Sequence, residues 1–200
     1  MLEAVDLECA RGGRILFRAL SLALKPGDVV RIAGENGRGK TSLLRILCGL
    51  LAPTAGDVRW DGTRIATLRE EYSRRLVYLG HAPAVKEELT AEENLAIACR
   101  LAGLPGADAA SALEQFGVPK ARAVGRMSQG QRRRAALARL VLSAGVPLWL
   151  LDEPLAALDV DAAALVESLV AAHATRGGMV VFTTHQEARL VPTRTVSLDA

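Results

Sequence analysis

Cysteine is scarce in this sequence, and its spacing excludes a disulfide framework. The 200 residues include three cysteines, Cys9, Cys48 and Cys99, which lie far apart and form no C-x-x-C pair. An odd number of widely spaced cysteines favours reduced, mostly buried thiols in a reducing compartment over a metal centre or a redox centre.

Long apolar runs are also missing, which excludes a secretory signal and a membrane-spanning helix. The first ten residues, MLEAVDLECA, carry three acidic side chains and no apolar segment of the kind that a signal needs. The longest nearly apolar run, residues 140–151, is interrupted by Ser143, Gly145 and Pro147 and is too short to cross a bilayer. We expect a cytosolic chain that reaches a membrane only through a partner.

Neither charge dominates the sequence. Its 25 basic and 22 acidic residues give a net charge of +3, which does not imply a nucleic acid partner. The one compact basic run, Arg132 to Arg134, is predicted to form a solvated helix face or intersubunit contacts. His173 is predicted to be a surface residue on the polar side of an Ala-rich helix.

The hydrophobic pattern predicts the fold class. Half of the residues are hydrophobic, which is enough for one buried core. Short apolar strands alternate with helical stretches, and this order predicts an α/β fold with a mainly parallel sheet. The first 30 residues instead predict antiparallel strands added at one side. Ala-rich sequence over residues 92–124 predicts a helical insertion, so we expect a single domain, residues 1–200, with a helical subdomain at about residues 85–143.

A glycine-rich motif follows the first strand of the α/β part. Residues 34–42 (GENGRGKTS) match G-x-x-x-x-G-K-[ST] and lie between an apolar strand and a helical stretch. Backbone N–H groups of such a loop surround phosphate oxygens, and the positive end of the next helix points at them. Lys40 is predicted to reach the β- and γ-phosphates of ATP, Thr41 to bind Mg²⁺ and Ser42 to support the α-phosphate. The candidate nucleotide-binding residues of this loop are Gly34, Glu35, Asn36, Gly37, Arg38, Gly39, Lys40, Thr41 and Ser42.

Two acidic residues end an apolar strand later in the chain, in LWLLDEP. Asp152 is predicted to face Mg²⁺. Because consecutive residues at a strand end point in different directions, Glu153 can face the water beyond the γ-phosphate and act as a catalytic base. A structural acid at Glu153 is the alternative. Many unrelated ATPases share both motifs, so together they predict hydrolysis of a nucleoside triphosphate and nothing narrower.

Three further motifs make the sequence resemble the ABC ATPases. MSQGQ at residues 127–131 is similar to their L-S-G-G-Q signature, AALD at residues 156–159 to their D-loop, and TTH at residues 183–185 to their switch histidine. The resemblance covers nearly the whole chain. It implies ATP hydrolysis with Glu153 and His185 as catalytic residues.

The same resemblance implies a nucleotide-sandwich homodimer, in which Ser128, Gly130 and Gln131 of one subunit complete the γ-phosphate site of the other. The residue types support this, because Ser-x-Gly ahead of a helix predicted from about residue 131 to 143 offers N–H groups and a hydroxyl to an anion. Since one chain already has a phosphate loop, a second anion-binding surface suggests two-fold pairing. A simple helix N-cap would explain Ser128 but not Gly130 and Gln131.

Two positions depart from the usual ABC ATPase pattern. Arg11 stands where an aromatic residue stacks on adenine, and a guanidinium can also stack on a flat ring; Phe17 or plain solvent exposure of Arg11 are the alternatives. His81, at the end of YLGH, stands where a glutamine senses Mg²⁺ and the γ-phosphate. His81 is predicted to contact the metal site, or else to be a strand-end residue that is hydrogen-bonded to backbone.

Within the ABC ATPases, YLGH, KEELTAEENL, GQRRRAALARL and TTHQ resemble the ATP-binding subunits of exporters that serve cytochrome c maturation. That resemblance implies a membrane permease of the CcmB type, further maturation proteins, haem as the nominal cargo, and the cytoplasmic face of the bacterial inner membrane. The chain itself has no recognisable haem motif such as C-x-x-C-H, so the cargo depends on the resemblance alone.

A soluble ABC ATPase that acts in assembly or nucleic-acid transactions is the competing hypothesis. The interval between the phosphate loop and the signature is too short for a long coiled coil, and the sequence contains no second cassette. A nucleotide-binding regulator without turnover is disfavoured because Glu153 and His185 are both present. Co-purification with a multi-span membrane protein separates a transport subunit from both alternatives.

Overall fold

A computed structural model describes residues 1–104, 106–184 and 190–199. The strands within these ranges are β1 (Leu2–Arg11), β2 (Arg14–Leu24), β3 (Val29–Ala33), β4 (Ala55–Trp60), β5 (Thr63–Arg64), β6 (Leu76–Leu79), β7 (Leu148–Asp152), β8 (Met179–Thr183) and β9 (Arg194–Ser197). The helices are α1 (Lys40–Leu47), α2 (Ile65–Leu68), α3 (Glu70–Ser73), α4 (Ala91–Leu101), α5 (Ala109–Gln115), α6 (Gln129–Leu137), α7 (Arg139–Leu142) and α8 (Val160–Thr175), and a 3₁₀ turn covers Val124–Arg126.

A parallel sheet with the strand order β6-β7-β8-β3-β9 lies between two hydrophobic clusters. Along β7, Leu148 and Leu150 belong to one cluster, while Trp149 and Leu151 belong to the other. This burial on both faces explains the continuous apolar runs in the sequence. Because β8 pairs with both β7 and β3, the carboxyl ends of these three strands meet at one edge of the sheet, where ligands bind in such folds.

An antiparallel sheet with the order β2-β1-β4-β5 shares the second cluster with α1. β1 pairs with β2 from Leu2 opposite Leu24 to Arg11 opposite Arg14, and with β4 on its other edge. The predicted α/β fold, with a mainly parallel sheet and an antiparallel unit at the N-terminus, is confirmed. β4 and β5 lie outside the predicted strands, because their short sequences contain glycine and charged residues.

Helices α4 to α7 form the segment between β6 and β7. Thr90 begins it with a capping box, in which the Thr90 hydroxyl accepts from the Glu93 N–H at 3.2 Å and the Glu93 carboxylate accepts from the Thr90 N–H at 2.8 Å. Leu113 of α5 and other apolar side chains of the segment join the cluster that contains Trp149. The helix predicted from about residue 131 to 143 is two helices, α6 and α7, which are separated at Ala138.

The three cysteines are free thiols, and Cys9 and Cys99 are buried whereas Cys48 is partly buried. Burial raises the pKa of each thiol above its ordinary value, which keeps it protonated and weakly reactive. In the part of the chain that the structure describes, no helix combines the length and the apolar character needed to cross a bilayer.

The prediction that His173 is a surface residue is wrong. The residue is 1 % exposed, and its ring stacks on Trp149 with the centroids 3.9 Å apart and the planes 3° apart. Gly178 leaves room for the ring, since a Cβ there would lie 2.2 Å from the His173 Nε2. Alanines surround His173 on α8 and are compatible with either face of a helix, so the sequence does not identify the buried face.

Burial of His173 should make the fold less stable in mild acid. Desolvation lowers the pKa of His173 from 6.5 to about 4. Because the unfolded chain then binds the proton first, the free energy of unfolding should fall by up to about 3 kcal/mol as the pH drops from about 6.5 towards 4. His173→Phe keeps a ring against Trp149 but cannot titrate. Urea unfolding at a series of pH values should show a smaller acid dependence in the variant, and equal dependence in both proteins would contradict the assignment.

Candidate functional site

The phosphate loop connects β3 to α1 and shapes the site. Gly39 precedes α1 with a φ of 98°, in the left-handed region that favours glycine. A Cβ at Gly39 would lie 3.0 Å from the Leu16 Cβ and 3.3 Å from the Phe17 ring. The loop is therefore packed against β2, and a larger residue at position 39 would disturb it.

The Lys40 side chain folds back over the phosphate loop. Its ammonium donates to the Gly34 carbonyl and, at 3.0 Å, to the Glu35 carbonyl, and the residue is buried. Both acceptors are neutral, so the positive charge stays available to an anion, and an ammonium has a third N–H donor. This environment fits a phosphate group.

Thr41 and Asp152 come together at the carboxyl edge of the parallel sheet. The Thr41 Oγ1 donates to the Asp152 Oδ2 at 2.8 Å, and the buried Asp152 accepts at Oδ1 from the Thr183 Oγ1 at 2.7 Å. Hydroxyl and carboxylate oxygens are the ligands that Mg²⁺ prefers, and Mg²⁺ often needs one or two carboxylates beside phosphate and water. The Thr41 and Asp152 oxygens therefore fit Mg²⁺. Among the described residues, no group of three or more His, Cys, Asp or Glu side chains could hold a metal.

The backbone changes direction at Glu153, directly after β7. The φ of Glu153 is 50°, a conformation that is uncommon for residues other than glycine and that persists where surrounding contacts enforce it. The Glu153 N–H donates to the Thr183 Oγ1 at 2.9 Å, so one hydroxyl contacts both acidic residues. Sequence reasoning did not assign this role to Thr183. The signal available in the sequence was a polar residue at the end of the apolar strand MVVFT. The pairing of this residue with Asp152 comes from the structure.

His81 follows β6 and lies near Glu153. Its Nδ1 is 3.8 Å from the Glu153 Oε2, beyond hydrogen-bond distance, and its side chain is 70 % exposed. His81 also lines the cavity that contains Lys40 and Asp152. The contact that the structure shows is thus with the second acidic residue, whereas the sequence pattern predicts a metal ligand.

The prediction that the basic run forms a solvated face is wrong for Arg133. The residue is 5 % exposed, and burial lowers the pKa of its guanidinium below the ordinary value. Its neighbours Arg132 and Arg134 form ion pairs within the chain. The guanidinium of Arg133 donates to the carbonyls of Gly80, His81, Asp152 and Glu153. A side chain of α6 therefore supports the site from behind.

Ser128, Gly130 and Gln131 begin α6. The Ser128 Oγ accepts from the Gln131 N–H at 3.2 Å, and the Gln131 Oε1 accepts from the Ser128 N–H at 3.1 Å, which is a capping box. The helix cap thus explains Gln131 as well as Ser128, contrary to the expectation from the sequence. A Cβ at Gly130 would lie 3.4 Å from the Ala157 carbonyl oxygen, which is ordinary van der Waals contact, so packing within this chain does not require glycine at this position.

Arg11, the predicted adenine contact, does not line the cavity that the described residues form. Arg11 is exposed at the end of β1, whereas Leu16 of β2 lines the cavity. Phe17, the alternative to Arg11, is buried against the loop. The adenine contact of Arg11 therefore stays a prediction. His185 lies outside the described residues.

An open cavity of about 460 Å³ brings most of the phosphate loop together with Asp152, Glu153 and His81. Gly34 and Arg38 of the loop do not line it, and the Arg38 Nε lies 3.2 Å from the Asp199 Oδ1. A phosphate loop, an oxygen pair suited to Mg²⁺ and a further acidic residue can together bind a nucleoside triphosphate and direct water at its terminal phosphate. The residues that line the cavity are Leu16, Glu35, Asn36, Gly37, Gly39, Lys40, Thr41, Ser42, His81, Asp152 and Glu153.

Known proteins are similar to this chain in both sequence and fold. A family model described as ABC transporter matches residues 17–156. The cytochrome c biogenesis ATP-binding export protein CcmA of Aromatoleum aromaticum is 51 % identical over 195 residues, which cover 94 % of this chain and 90 % of that protein.

Two solved structures superpose closely. An ABC transporter ATP-binding protein from Pyrococcus furiosus is 25 % identical, with a TM-score of 0.84 over 99 % of this chain and 97 % of that chain. A dimeric ATP-binding cassette in a post-hydrolysis state, bound to ADP and Pi, is 23 % identical and has the same fold, with a TM-score of 0.83 over 98 % of this chain and 94 % of that chain.

Proposed function

Because this chain belongs to the ABC transporter family, in the group of CcmA proteins of cytochrome c biogenesis, we propose that it powers haem export through a membrane permease. It is the ATP-hydrolysing subunit of an ABC transporter. Residues 1–200 form one ATP-binding domain with a helical subdomain at about residues 85–143. The permease is of the CcmB type, other cytochrome c maturation proteins join the complex, and the chain lies on the cytoplasmic face of the bacterial inner membrane.

The meeting of Lys40, Thr41, Asp152 and Glu153 is the observation that supports this chemistry most. Lys40 and the loop N–H groups bind the β- and γ-phosphates. Thr41 and Asp152 hold Mg²⁺, which when bound neutralises phosphate charge. Glu153 accepts a proton from the attacking water. The Thr183 hydroxyl donates to the Asp152 carboxylate and accepts from the backbone N–H of Glu153, and so connects the two acidic residues.

Two copies of the chain bind ATP between them, each supplying Ser128, Gly130 and Gln131 to the phosphate loop of the other. In the described structure these residues do not line the cavity of their own chain, so they are available to a second subunit. The Ser128 hydroxyl accepts in the capping box, and its O–H therefore remains free to donate to a phosphate. The positive end of the α6 dipole adds to this attraction.

The permease contacts the groove between residues 81–90 and α4. This narrow groove, with a volume of about 60 Å³, is lined by apolar side chains that include Pro83, Val85 and Leu95. Asn94 fixes the loop, because its side-chain amide accepts from the Lys86 N–H at 2.7 Å and donates to the Lys86 carbonyl at 2.9 Å. An apolar groove beside an exposed charged loop fits an amphipathic segment of a partner.

Pull-down of a multi-span membrane protein tests the transport function, and Lys86→Glu tests the docking surface. Lys86 is exposed, so its charge can be reversed cleanly. Glu87 is less suitable, because it pairs with Arg132 of α6 at 2.8 Å. Lys86→Glu should lose the membrane partner while its ATP affinity stays unchanged, and Lys120→Glu, which lies outside the groove, is the matched control. Unchanged recovery of the partner in Lys86→Glu would count against this surface. Failure of the wild type to recover any membrane protein would contradict the transport function.

His81 links the metal site to the permease loop in this proposal. His81→Gln should retain substantial ATPase activity, because an amide and an imidazole both offer a donor and an acceptor. His81→Ala should impair ATPase activity and its stimulation by the permease. Identical ATPase activity and identical stimulation by the permease in all three proteins would show that His81 is a structural residue.

A further inference from the structure

Arg133 holds the ends of two strands by their backbone. Its Nη1 donates to the carbonyls of Gly80 at 2.8 Å and His81 at 3.1 Å, and its Nη2 donates to those of Asp152 and Glu153, both at 2.8 Å. Gly80 and His81 follow β6, Asp152 is the last residue of β7, and Glu153 comes directly after it. One guanidinium therefore connects the loop that carries His81 to both acidic residues of the site.

Placing a charged side chain in the buried position of Arg133 costs free energy, because the charge loses its hydration. Arg133 is 5 % exposed, and its acceptors are neutral carbonyls rather than carboxylates. Loss of hydration is offset only where hydrogen bonds satisfy the charged group. The planar fork of arginine can hold two pairs of carbonyls in one fixed geometry, which lysine cannot do. That geometry favours a role in positioning.

The backbone of Glu153 is fixed on both sides. Its N–H donates to Thr183 at 2.9 Å, and its carbonyl accepts from Arg133 at 2.8 Å. Between these contacts the residue has a φ of 50°, which needs support from its surroundings. A displacement of Arg133 would therefore move the proposed catalytic base.

Arg133 and Ser128 belong to the same helix. Ser128 is the N-cap of α6, and Arg133 lies about 7.5 Å further along the helix axis. Because α6 is continuous between these residues, a displacement of its first turn also displaces the turn that contains Arg133. α6 thus extends from the segment proposed to contact the nucleotide of a second subunit to the base of its own subunit.

We propose that Arg133 is a positioning residue that couples the two nucleotide sites of the dimer. Contact of Ser128 with the γ-phosphate bound to the second subunit sets, through α6 and Arg133, the position of Glu153 in the same chain. This inference depends on the proposed nucleotide-sandwich dimer.

Arg133→Gln in the full chain is the first test. It should lower kcat by about 100-fold, the effect of misplacing a reacting group by about 1 Å. KM for ATP should change little, because the hydrogen bonds of Arg133 go to the ends of β6 and β7 rather than to the phosphate loop. Arg133→Lys should recover part of the activity, since an ammonium can still donate to some of the carbonyls. Arg100→Gln, which changes an exposed arginine of α4, is the matched control and should keep the wild-type kcat.

A double-variant cycle with Ser128→Ala decides whether Arg133 transmits the contact. The variant with both changes should be no slower than the slower single variant, because each change breaks the same connection. If the fold-losses in kcat of the two single variants multiply in the double variant, the inference is overturned. Wild-type kcat per folded molecule in both Arg133 variants, with only a lower melting temperature, would also overturn it. If Arg133→Gln does not fold, Arg133→Lys replaces it in the cycle. Lack of ATP turnover in both the wild type and Arg100→Gln would instead contradict the proposed function, and the inference with it.

Discussion

Glu153→Gln should bind ATP normally and hydrolyse it roughly 100- to 10,000-fold more slowly than the wild type, the range expected for loss of a general base. The amide has nearly the shape of the carboxylate. The contacts of Glu153 with Thr183 and Arg133 involve its backbone and not its side chain, so the turn after β7 should stay in place. Because ATP then persists between the subunits, an ATP-dependent dimer should accumulate.

Steady-state ATP hydrolysis and size-exclusion chromatography with and without ATP measure the two effects of this variant. Glu114→Gln, at an exposed position of α5, is the matched control and should behave as the wild type. A Glu153→Gln protein that stays monomeric at every ATP concentration would remove the main support for the sandwich dimer. Normal turnover in Glu153→Gln would exclude Glu153 as the base.

Lys40→Ala should abolish tight ATP binding. A hydrogen bond to a charged group contributes about 1.5–3 kcal/mol, so losing the Lys40 contact with phosphate should raise Kd by roughly 10- to 100-fold or more. The fold should survive, because the hydrogen bonds of the Lys40 ammonium in the structure are local ones to the loop carbonyls of Gly34 and Glu35, and alanine is a good helix former at the start of α1.

Titration with a fluorescent ATP analogue measures this loss, and the melting temperature without nucleotide reports on the fold. Lys120→Ala removes an exposed lysine outside the site and should bind as the wild type does. Near-normal affinity in Lys40→Ala would contradict the assignment of residues 34–42 as the phosphate loop.

The predictable parts of the site are those formed by residues that are adjacent in the sequence. The glycines, lysine and threonine of residues 34–42 act as one short loop, so their spacing alone identifies it. Asp152 and Glu153 were predictable for a similar reason, because an apolar strand that ends in acidic residues shows where the side chains emerge. The alternation of strands and helices predicted the α/β class, since each element buries its own apolar face.

Residues that act through distant contacts were not predictable. Thr41 and Asp152 are 111 residues apart, and only the motif resemblance suggested that they meet. Nothing in the local pattern distinguishes Arg133 from Arg132 and Arg134, although Arg133 is buried and accounts for four hydrogen bonds to backbone carbonyls. His173 was misplaced because its alanine neighbours are compatible with both faces of α8.

By itself, the sequence determined the family of this protein, its α/β class, and the residues that we propose to bind phosphate and metal and to activate water, because periodicity and motif spacing are local properties of the chain. The tertiary structure decided which polar side chains support those groups. The strand order β7-β8-β3 brings the Thr183 hydroxyl to both acidic residues, and the packing of α6 behind β6 and β7 directs Arg133 at their carbonyls. Such contacts depend on which elements become neighbours, and that follows from burying all apolar faces together rather than from any one segment.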